Sequence, residues 1–479
     1  MDLYLIPLAF SLLAALAPAN LVRYVGLTGA LASLVSVGVH AAYYMSGWSV
    51  VLFEPGQVTT FGLTFKMGYD GISLLMVALV NVVTTLILLS NLNRETASLK
   101  GFNALVMLMQ FGLIGVFTAM DGIMFYVFWE LTLIPIFLIA YWYGAPERKP
   151  ALLKFFIYTF VGSLAMLLSL IALGNYADNY SYESLVAVEL SAKSAFWIMA
   201  GFFLAFAIKI PLVPFHTWQP DTYTLSPMAG TMLLSALMLK MALYGMIRWM
   251  VPLAPEAMQD FTPIIVVLGI IGVVYAALIA IKQSDIKRLF AFASISHVGL
   301  IAAGIMLFDK EVLGASLIQI INHSLVAVGL FLAAGILEDR LATRELNQMG
   351  GVAKLAPRFG FWFAVIGFAS VSVPFSSGFI GEFLLLKGLY GYCWIIGLIA
   401  GTTLVFGAVY TFRAYQLSMF GAPSLESFKD LQWNEVLSFL IISVLIVLIG
   451  VYPQAILDFV GPSLDKLIQS TQADITILP

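Results

Sequence analysis

The chain has 479 residues, 61% of them hydrophobic and only 10% charged, with a formal net charge of −3 and a strongly positive mean hydropathy. Soluble domains carry about 25% charged residues, so the composition excludes a water-soluble enzyme, and the slight negative charge argues against nucleic acid or an acidic partner. The single cysteine, Cys393, excludes an internal disulfide and cannot hold an iron–sulfur cluster.

Apolar stretches of about 20 residues, each long enough to cross a bilayer core, recur from end to end. The first, from Leu3 to about Pro18, lacks a basic n-region and runs straight into the next, so it reads as a retained helix and not a signal peptide. The pattern predicts an all-α polytopic membrane protein of about 14 transmembrane helices, centred near residues 10, 35, 80, 110, 132, 163, 203, 238, 271, 297, 325, 373, 404 and 445. Pro, Gly and clustered charge mark the loops, as in Gly144–Pro150 and from Glu338 onwards. Helices one to three fall in residues 1–100, four to eight in 101–252, nine to thirteen in 258–422, and helix fourteen with a tail in 430–479.

Fifteen Lys and Arg residues sit in the loops after odd-numbered helices, Lys287 and Arg340 among them. The termini and the opposite loops hold only Lys66, Lys193, Arg248, Lys310 and Lys466. By the positive-inside rule the fifteen face the cytoplasm and both termini point outward. The expected location is a bacterial inner membrane with the termini on the periplasmic side.

Four charges fall inside predicted helices: Glu130 in "FYVFWELTLIPIFL", Lys209, Lys240 and Glu382. Each costs roughly 2.5–3.5 kcal/mol to insert, which makes each a functional candidate. The plainer reading is a static ion pair locking helices together. Lys387, near a helix end, reads as a snorkelling side chain. Low dielectric disfavours a charged form and an opposite charge restores it. A Glu and a Lys on neighbouring helices can therefore trade protons near neutral pH, with no metal and no organic cofactor.

Prolines accompany the charges. Pro135, five residues past Glu130, removes the hydrogen bond to the Leu131 carbonyl. Pro211 and Pro214 in "KIPLVPFHTW" predict a break after Lys209 in helix seven. Pro374, Gly378 and Gly381 in "SVPFSSGFIGE" predict a second before Glu382 in helix twelve. Irregular backbone at membrane depth survives only inside protein or beside a wet cavity. With helices four to eight and nine to thirteen taken as two five-helix units, each break lies in the fourth member. Units with an odd number of helices insert in opposite orientations, which gives an inverted repeat.

His297 in "ASISHVG" and His323 in "INHSLV" occupy consecutive helices between Lys240 and Glu382, as a relay near neutral pH would require. A satisfied packing role is the alternative. Haem ligation fails because no second pair of histidines repeats at helical spacing. His216 lies just past the first break, and His40 in helix two reads as structural.

"FYVFWELTLIPIFL", "AIKIPLVPFHTWQPDTY", "LLSALMLKMALYG", "FAFASISHVG" and "SGFIGEFLLLK", with "MGYDGISLLMVALV" in the third helix, resemble the antiporter-like membrane subunits of proton-pumping NADH:quinone oxidoreductase, respiratory complex I. The resemblance covers nearly the whole chain. Glu382, where related subunits and antiporters carry Lys, and the short stretch after helix fourteen point to the subunit M branch. The resemblance implies a proton path in which Glu130 pairs with Lys209, Lys240 is the central carrier, His297 and His323 connect, and Glu382 delivers. It implies no cofactor in this chain, with flavin, iron–sulfur clusters and quinone in other subunits. The implied partners are other membrane-arm subunits, two homologous antiporter-like subunits among them, together with lipids and protons. The competing expectation is a subunit of a multisubunit sodium/proton antiporter with no redox link.

Overall fold

The computed structural model describes residues 2–47, 51–54, 62–422 and 426–472. The end of the expected tail, 473–479, lies outside them. The described chain is mostly helical: α1 (Asp2–Leu16), α2 (Val22–Met45), α3 (Gly71–Asn91), α4 (Lys100–Thr118), α5 (Gly122–Tyr143) and α6 (Arg148–Gly174). There follow α7 (Ala192–Lys209), α8 (Gln219–Leu225), α9 (Met228–Leu253), α10 (Met258–Lys282), α11 (Ile286–Ile305) and α12 (Lys310–Leu341). The chain then forms α13 (Pro357–Ser370), α14 (Ser377–Tyr392), α15 (Trp394–Met419), α16 (Trp433–Val451) and α17 (Gln454–Gln472). A small antiparallel pair, Val51–Phe53 with Met67–Gly68, caps the α2–α3 connection.

Twelve helices among the described residues are long and apolar enough to cross a membrane, and α1 is a shorter apolar helix. Acidic N-caps start several of them. Asp70 accepts the Ser73 amide at α3, Asp121 those of Ile123 and Met124 at α5, Asp285 that of Arg288 at α11, and Asp309 those of Glu311 and Val312 at α12. Each meets backbone donors that the first helical turn leaves unpaired.

Burial sorts the helices. The most apolar windows of α9 and α12 are 100% buried and those of α3 and α11 are 89% buried, so these four form the interior. The same windows of α2 and α15 are only 33% buried, which places them outside. Helices α10 and α11 touch backbone to backbone: a Cβ on Gly269 would lie 2.5 Å from the Gly299 carbonyl oxygen. Only a residue without a side chain permits that approach.

Both expected breaks are present. Between α7 and α8 the chain turns through Ile210–Trp218 and contains a cis peptide at Val213–Pro214. There the Leu212 amide bonds the Ala207 carbonyl, and the freed Ile208 carbonyl accepts the Trp218 indole N–H at 2.8 Å. Between α13 and α14, Ser372 and Phe375 hold φ of +55° and +73°, conformations that cost bulky side chains energy. Pro135, by contrast, sits within the unbroken α5.

Two loop readings change. Glu338–Arg340, read as a loop, is the last turn of the 32-residue α12. Lys287, read as a loop residue, is 2% exposed at the start of α11, with Nζ 2.6 Å from a Glu338 carboxylate oxygen. The helix outruns the roughly 20 residues a bilayer needs, so the charges gather above the apolar slab but inside protein.

The segment after α16, read as a tail, forms α17, which lies against α3 and α12. Its Ser463 hydroxyl accepts the Gly71 amide at 2.8 Å and meets the Tyr44 hydroxyl at 3.0 Å, and Asp465 pairs with Lys310 at 2.5 Å.

Candidate functional site

Lys240 lies on α9 and is 1% exposed. The α9 backbone carries two π-helical stretches, Leu234–Met238 and Met246–Met250, on either side of it. A π-turn displaces carbonyls from the regular ladder and recurs at functional sites. Here the side chains take up the displaced acceptors: Lys240 Nζ donates to the Ser235 carbonyl at 2.7 Å, and the Ser324 hydroxyl donates to the Ala236 carbonyl at 2.8 Å. The amine also lies 2.7 Å from His323 Nδ1, across the α9–α12 contact.

The series continues in the same layer. His323 Nε2 meets the Ser294 hydroxyl on α11 at 3.1 Å. His297, one turn further along α11, has its ring centroid 6.3 Å from that of His323. His297 Nδ1 lies 2.9 Å from a Glu382 carboxylate oxygen, and its Nε2 lies 3.0 Å from the Tyr410 hydroxyl on α15. The Gln319 amide of α12 donates to the same Glu382 oxygen at 3.1 Å. Gly381 permits this, because a Cβ there would stand 2.5 Å from Gln319 Oε1. Glu382 is 2% exposed.

All four ring nitrogens of the two histidines thus have partners, and two bonded groups result. One is Lys240–His323–Ser294 and the other is Tyr410–His297–Glu382–Gln319. A cavity of about 30 Å³ separates them, bounded by both imidazoles, Ser294, Ser370, Tyr410 and Thr411. That space is large enough for one water molecule, although its walls are mostly apolar.

The other half differs. Lys209, at the end of α7, is 2% exposed, and no hydrogen-bond acceptor among the described residues meets its ammonium. Nζ instead stands 5.6 Å from the centre of the Trp129 ring and 5.9 Å from that of Phe155, over aromatic faces that attract a cation. Glu130 is half-buried on α5; its carboxylate faces the Ser163 hydroxyl of α6 and feels the Lys209 charge. The expected Glu130–Lys209 pair is therefore coulombic and not a contact: no ion pair within 4.0 Å joins them.

All six sequence-predicted residues thus occupy the interior or its edge. Lys240, His323, His297 and Glu382 come together by bonds and near contact, while Glu130 and Lys209 interact through space. Gln319, Tyr410, Ser294 and the Ser235 carbonyl escaped sequence reasoning. The remaining candidates have local duties: Lys387 pairs at the surface with Glu311 at 2.7 Å, and His40 bridges Tyr69 and Asp2 at 2.6 and 3.0 Å. Among the described residues no group of three or more His, Cys, Asp or Glu could hold a metal.

Comparison with known proteins agrees with this geometry. The family described as NADH:quinone oxidoreductase/Mrp antiporter, transmembrane, matches residues 119–407. The chain is 37% identical over 425 residues to NADH-quinone oxidoreductase subunit M of Escherichia coli, covering 85% of this chain and 83% of that one. It is 36% identical over 414 residues to subunit M of Rickettsia conorii, covering 85% and 84%. A chain of respiratory complex I from Thermus thermophilus with bound NADH superposes with a TM-score of 0.90 at 31% identity, covering 98% of this chain and 99% of that one. A chain of the Mrp complex from Dietzia sp. superposes at 0.87 with 20% identity, over 98% and 99% of the two chains, and shares the fold. With buried lysine, histidines and carboxylate in one line and these likenesses over most of its length, the chain belongs to the NADH:quinone oxidoreductase/Mrp antiporter transmembrane family, in its subunit M branch.

Proposed function

We propose that the chain is a proton-translocating membrane-arm subunit of NADH:quinone oxidoreductase. It moves protons through Lys240, His323, His297 and Glu382, with Glu130 and Lys209 setting the proton affinity of that line, driven by quinone reduction elsewhere in the complex. The observation that carries this reading is the near-continuous line from Lys240 Nζ through both histidines to Glu382, with the lysine and both histidines on the most buried helices, α9, α11 and α12. A charge change near Glu130 alters the field at Lys209 and then at Lys240, and the proton Lys240 releases has His323 2.7 Å away to receive it.

Around that line the chain crosses the membrane fourteen times. The twelve long helices, α1, and the pair α13–α14 supply the spans. Helices α4 to α9 and α10 to α15 form two inverted five-helix units whose fourth members are broken. The basic loops lie in the cytoplasm of a bacterial cell and both termini lie in the periplasm. Flavin, iron–sulfur clusters and quinone belong to other subunits, so this chain contributes translocation to the oxidoreductase and has no redox centre of its own. Two homologous antiporter-like subunits flank it. The open face of α5, where Val127 and Ile134 are 47% and 56% exposed beside Glu130, suits one of them, since lipid is a poor neighbour for a mid-membrane carboxylate.

The test is Glu130→Gln in the complex reconstituted in vesicles. Quinone reduction with an uncoupler present is expected to persist, while coupled proton uptake falls at least about ten-fold, the scale of losing a proton-transfer determinant. Full uptake in that variant removes the mechanism. The second reading, a sodium/proton antiporter subunit, shares the same family and fold; co-purification with small antiporter subunits in place of redox subunits would establish it.

A further inference from the structure

Far from the proton line, the first turns of α10 and α12 and the last turns of α14 enclose a groove of about 610 Å³. Asp309, Glu311 and Lys387 form its rim, and Met306, Leu307, Val312 and Leu384 form its floor. An apolar floor with a few placed charges, in a volume of about 300–1,000 Å³, is the form of a site for a small amphiphile. The local sequence explains the shape. Gly388 brings α14 against α12, since a Cβ there would stand 2.5 Å from Val312 Cγ2. The Thr262 hydroxyl donates to the Met306 carbonyl at 3.3 Å and joins α10 to the end of α11. At Gly391, by contrast, one turn beyond Gly388, a Cβ would meet nothing within 4 Å. The helices close below and stand apart above.

Depth, continuity and charge identify the occupant. Tyr390 and Trp394, at the same end of α14 as the rim, are 57% and 58% exposed, and such aromatic side chains sit at the level of lipid headgroups. Away from the rim, Ile264, Val267, Ile271 and Leu278 expose an apolar face along α10 at helical spacing, as hydrocarbon requires. At the rim two carboxylates stand against one ammonium. Lys387 donates to both Glu311 oxygens at 2.7 and 2.9 Å, and Lys310 is engaged by Asp465. Asp309 spends Oδ1 on the Glu311 and Val312 amides, while its Oδ2 meets no donor among the described residues. Anionic headgroups select basic pockets; this rim carries surplus negative charge and suits an ammonium.

We propose that this groove seats a phospholipid with a primary-amine headgroup, a phosphoethanolamine, whose acyl chains run down the exposed face of α10. The headgroup ammonium donates to Asp309 Oδ2 and to Glu311, and Lys387 donates its remaining proton to the phosphate. A primary ammonium offers three donors, whereas a quaternary one offers none, so the rim discriminates against choline headgroups. The seated lipid braces α14 against α10 a little over one turn from Glu382. The inference needs only the chain's place in a membrane, and it stands or falls independently of translocation.

Photoreactive lipids test it. The intact complex is reconstituted in vesicles with a trace of phosphatidylethanolamine, phosphatidylcholine or phosphatidylglycerol, each carrying a diazirine on one acyl chain. Cross-links are then mapped by peptide mass spectrometry. At Met306, Leu307 and Leu384 the ethanolamine lipid is expected to label at least about five-fold more than the other two, the scale of one charge-assisted hydrogen bond. At Ile271 and Leu278 the three are expected to label alike. Gly391→Leu fills the groove from its open side and is expected to lower the first labelling about five-fold by steric exclusion, leaving the second unchanged. Equal labelling of the floor by all three lipids, or a preference for the anionic one, overturns the headgroup assignment. Labelling that ignores Gly391→Leu overturns the site. No labelling at Met306, Leu307 and Leu384 means that a neighbouring subunit covers the groove, and that too overturns the proposal. Should Gly391→Leu fail to assemble, the three-lipid comparison on the unaltered complex decides.

Discussion

The two ends of the charged line are built on different physics. From Lys240 to Glu382 two bonded groups face each other across a small cavity, and within each the amine, imidazoles, carboxylate, phenol and amide lie 2.7–3.1 Å from their partners. From Glu130 to Lys209 nothing touches, and the ammonium rests on aromatic faces. Between the halves, the Thr132 hydroxyl on α5 lies 3.7 Å from the Met241 sulfur on α9. Bonded groups hand a proton over, because distance and angle are set beforehand. Charges that act across a low-dielectric gap set energies without handing anything over. On the proposed mechanism, one half conducts and the other tunes.

Arginine distinguishes these roles, because it keeps its charge and cannot give up a proton. Lys240→Arg is expected to lower coupled proton uptake to background, a loss on the order of 10²-fold. Lys209→Arg keeps the charge that Glu130 senses, so uptake is expected to stay within about three-fold of the parent. Equal losses in the two variants, read by a pH-sensitive dye inside vesicles, would erase the distinction. Next in size is Tyr410→Phe, which leaves His297 Nε2 without its partner. It is expected to reduce uptake about five-fold, the kinetic equivalent of one lost hydrogen bond near 1 kcal/mol. The smallest effect belongs to Trp129→Leu, which removes one aromatic face from Lys209. A two- to three-fold change in uptake is expected, from about 0.5 kcal/mol of cation–π attraction, and a larger loss would mean that Trp129 also positions the ammonium.

Much of this arrangement was legible beforehand because membrane insertion makes charge conspicuous. Glu130, Lys209, Lys240 and Glu382 stand out against apolar neighbours, and Pro211, Pro214 and Pro374 announce broken backbone. Gln319, Ser294 and Tyr410 carry no such signal, since a neutral polar side chain in a transmembrane helix is common and its partner lies on another helix. The π-turn at Leu234–Met238 leaves no trace in residue type: "LSALM" is an ordinary helical string. The distance between Glu130 and Lys209 depends on how α5 and α7 pack, which spacing along the chain does not encode. Helix α17 lies in the stretch that reads as a tail, although Ile456, Val460, Leu464 and Leu467 recur at helical spacing.

That last helix also imposes an order on biosynthesis. The first amide of α3 finds its acceptor in Ser463, 392 positions later, and Lys310 at the head of α12 waits for Asp465. Two helices inserted before it therefore stay unfinished until Ser463 and Asp465 have left the ribosome. A chain released prematurely would expose an unmet donor and a lone ammonium at one membrane face, a mark by which quality control could tell it from a completed one.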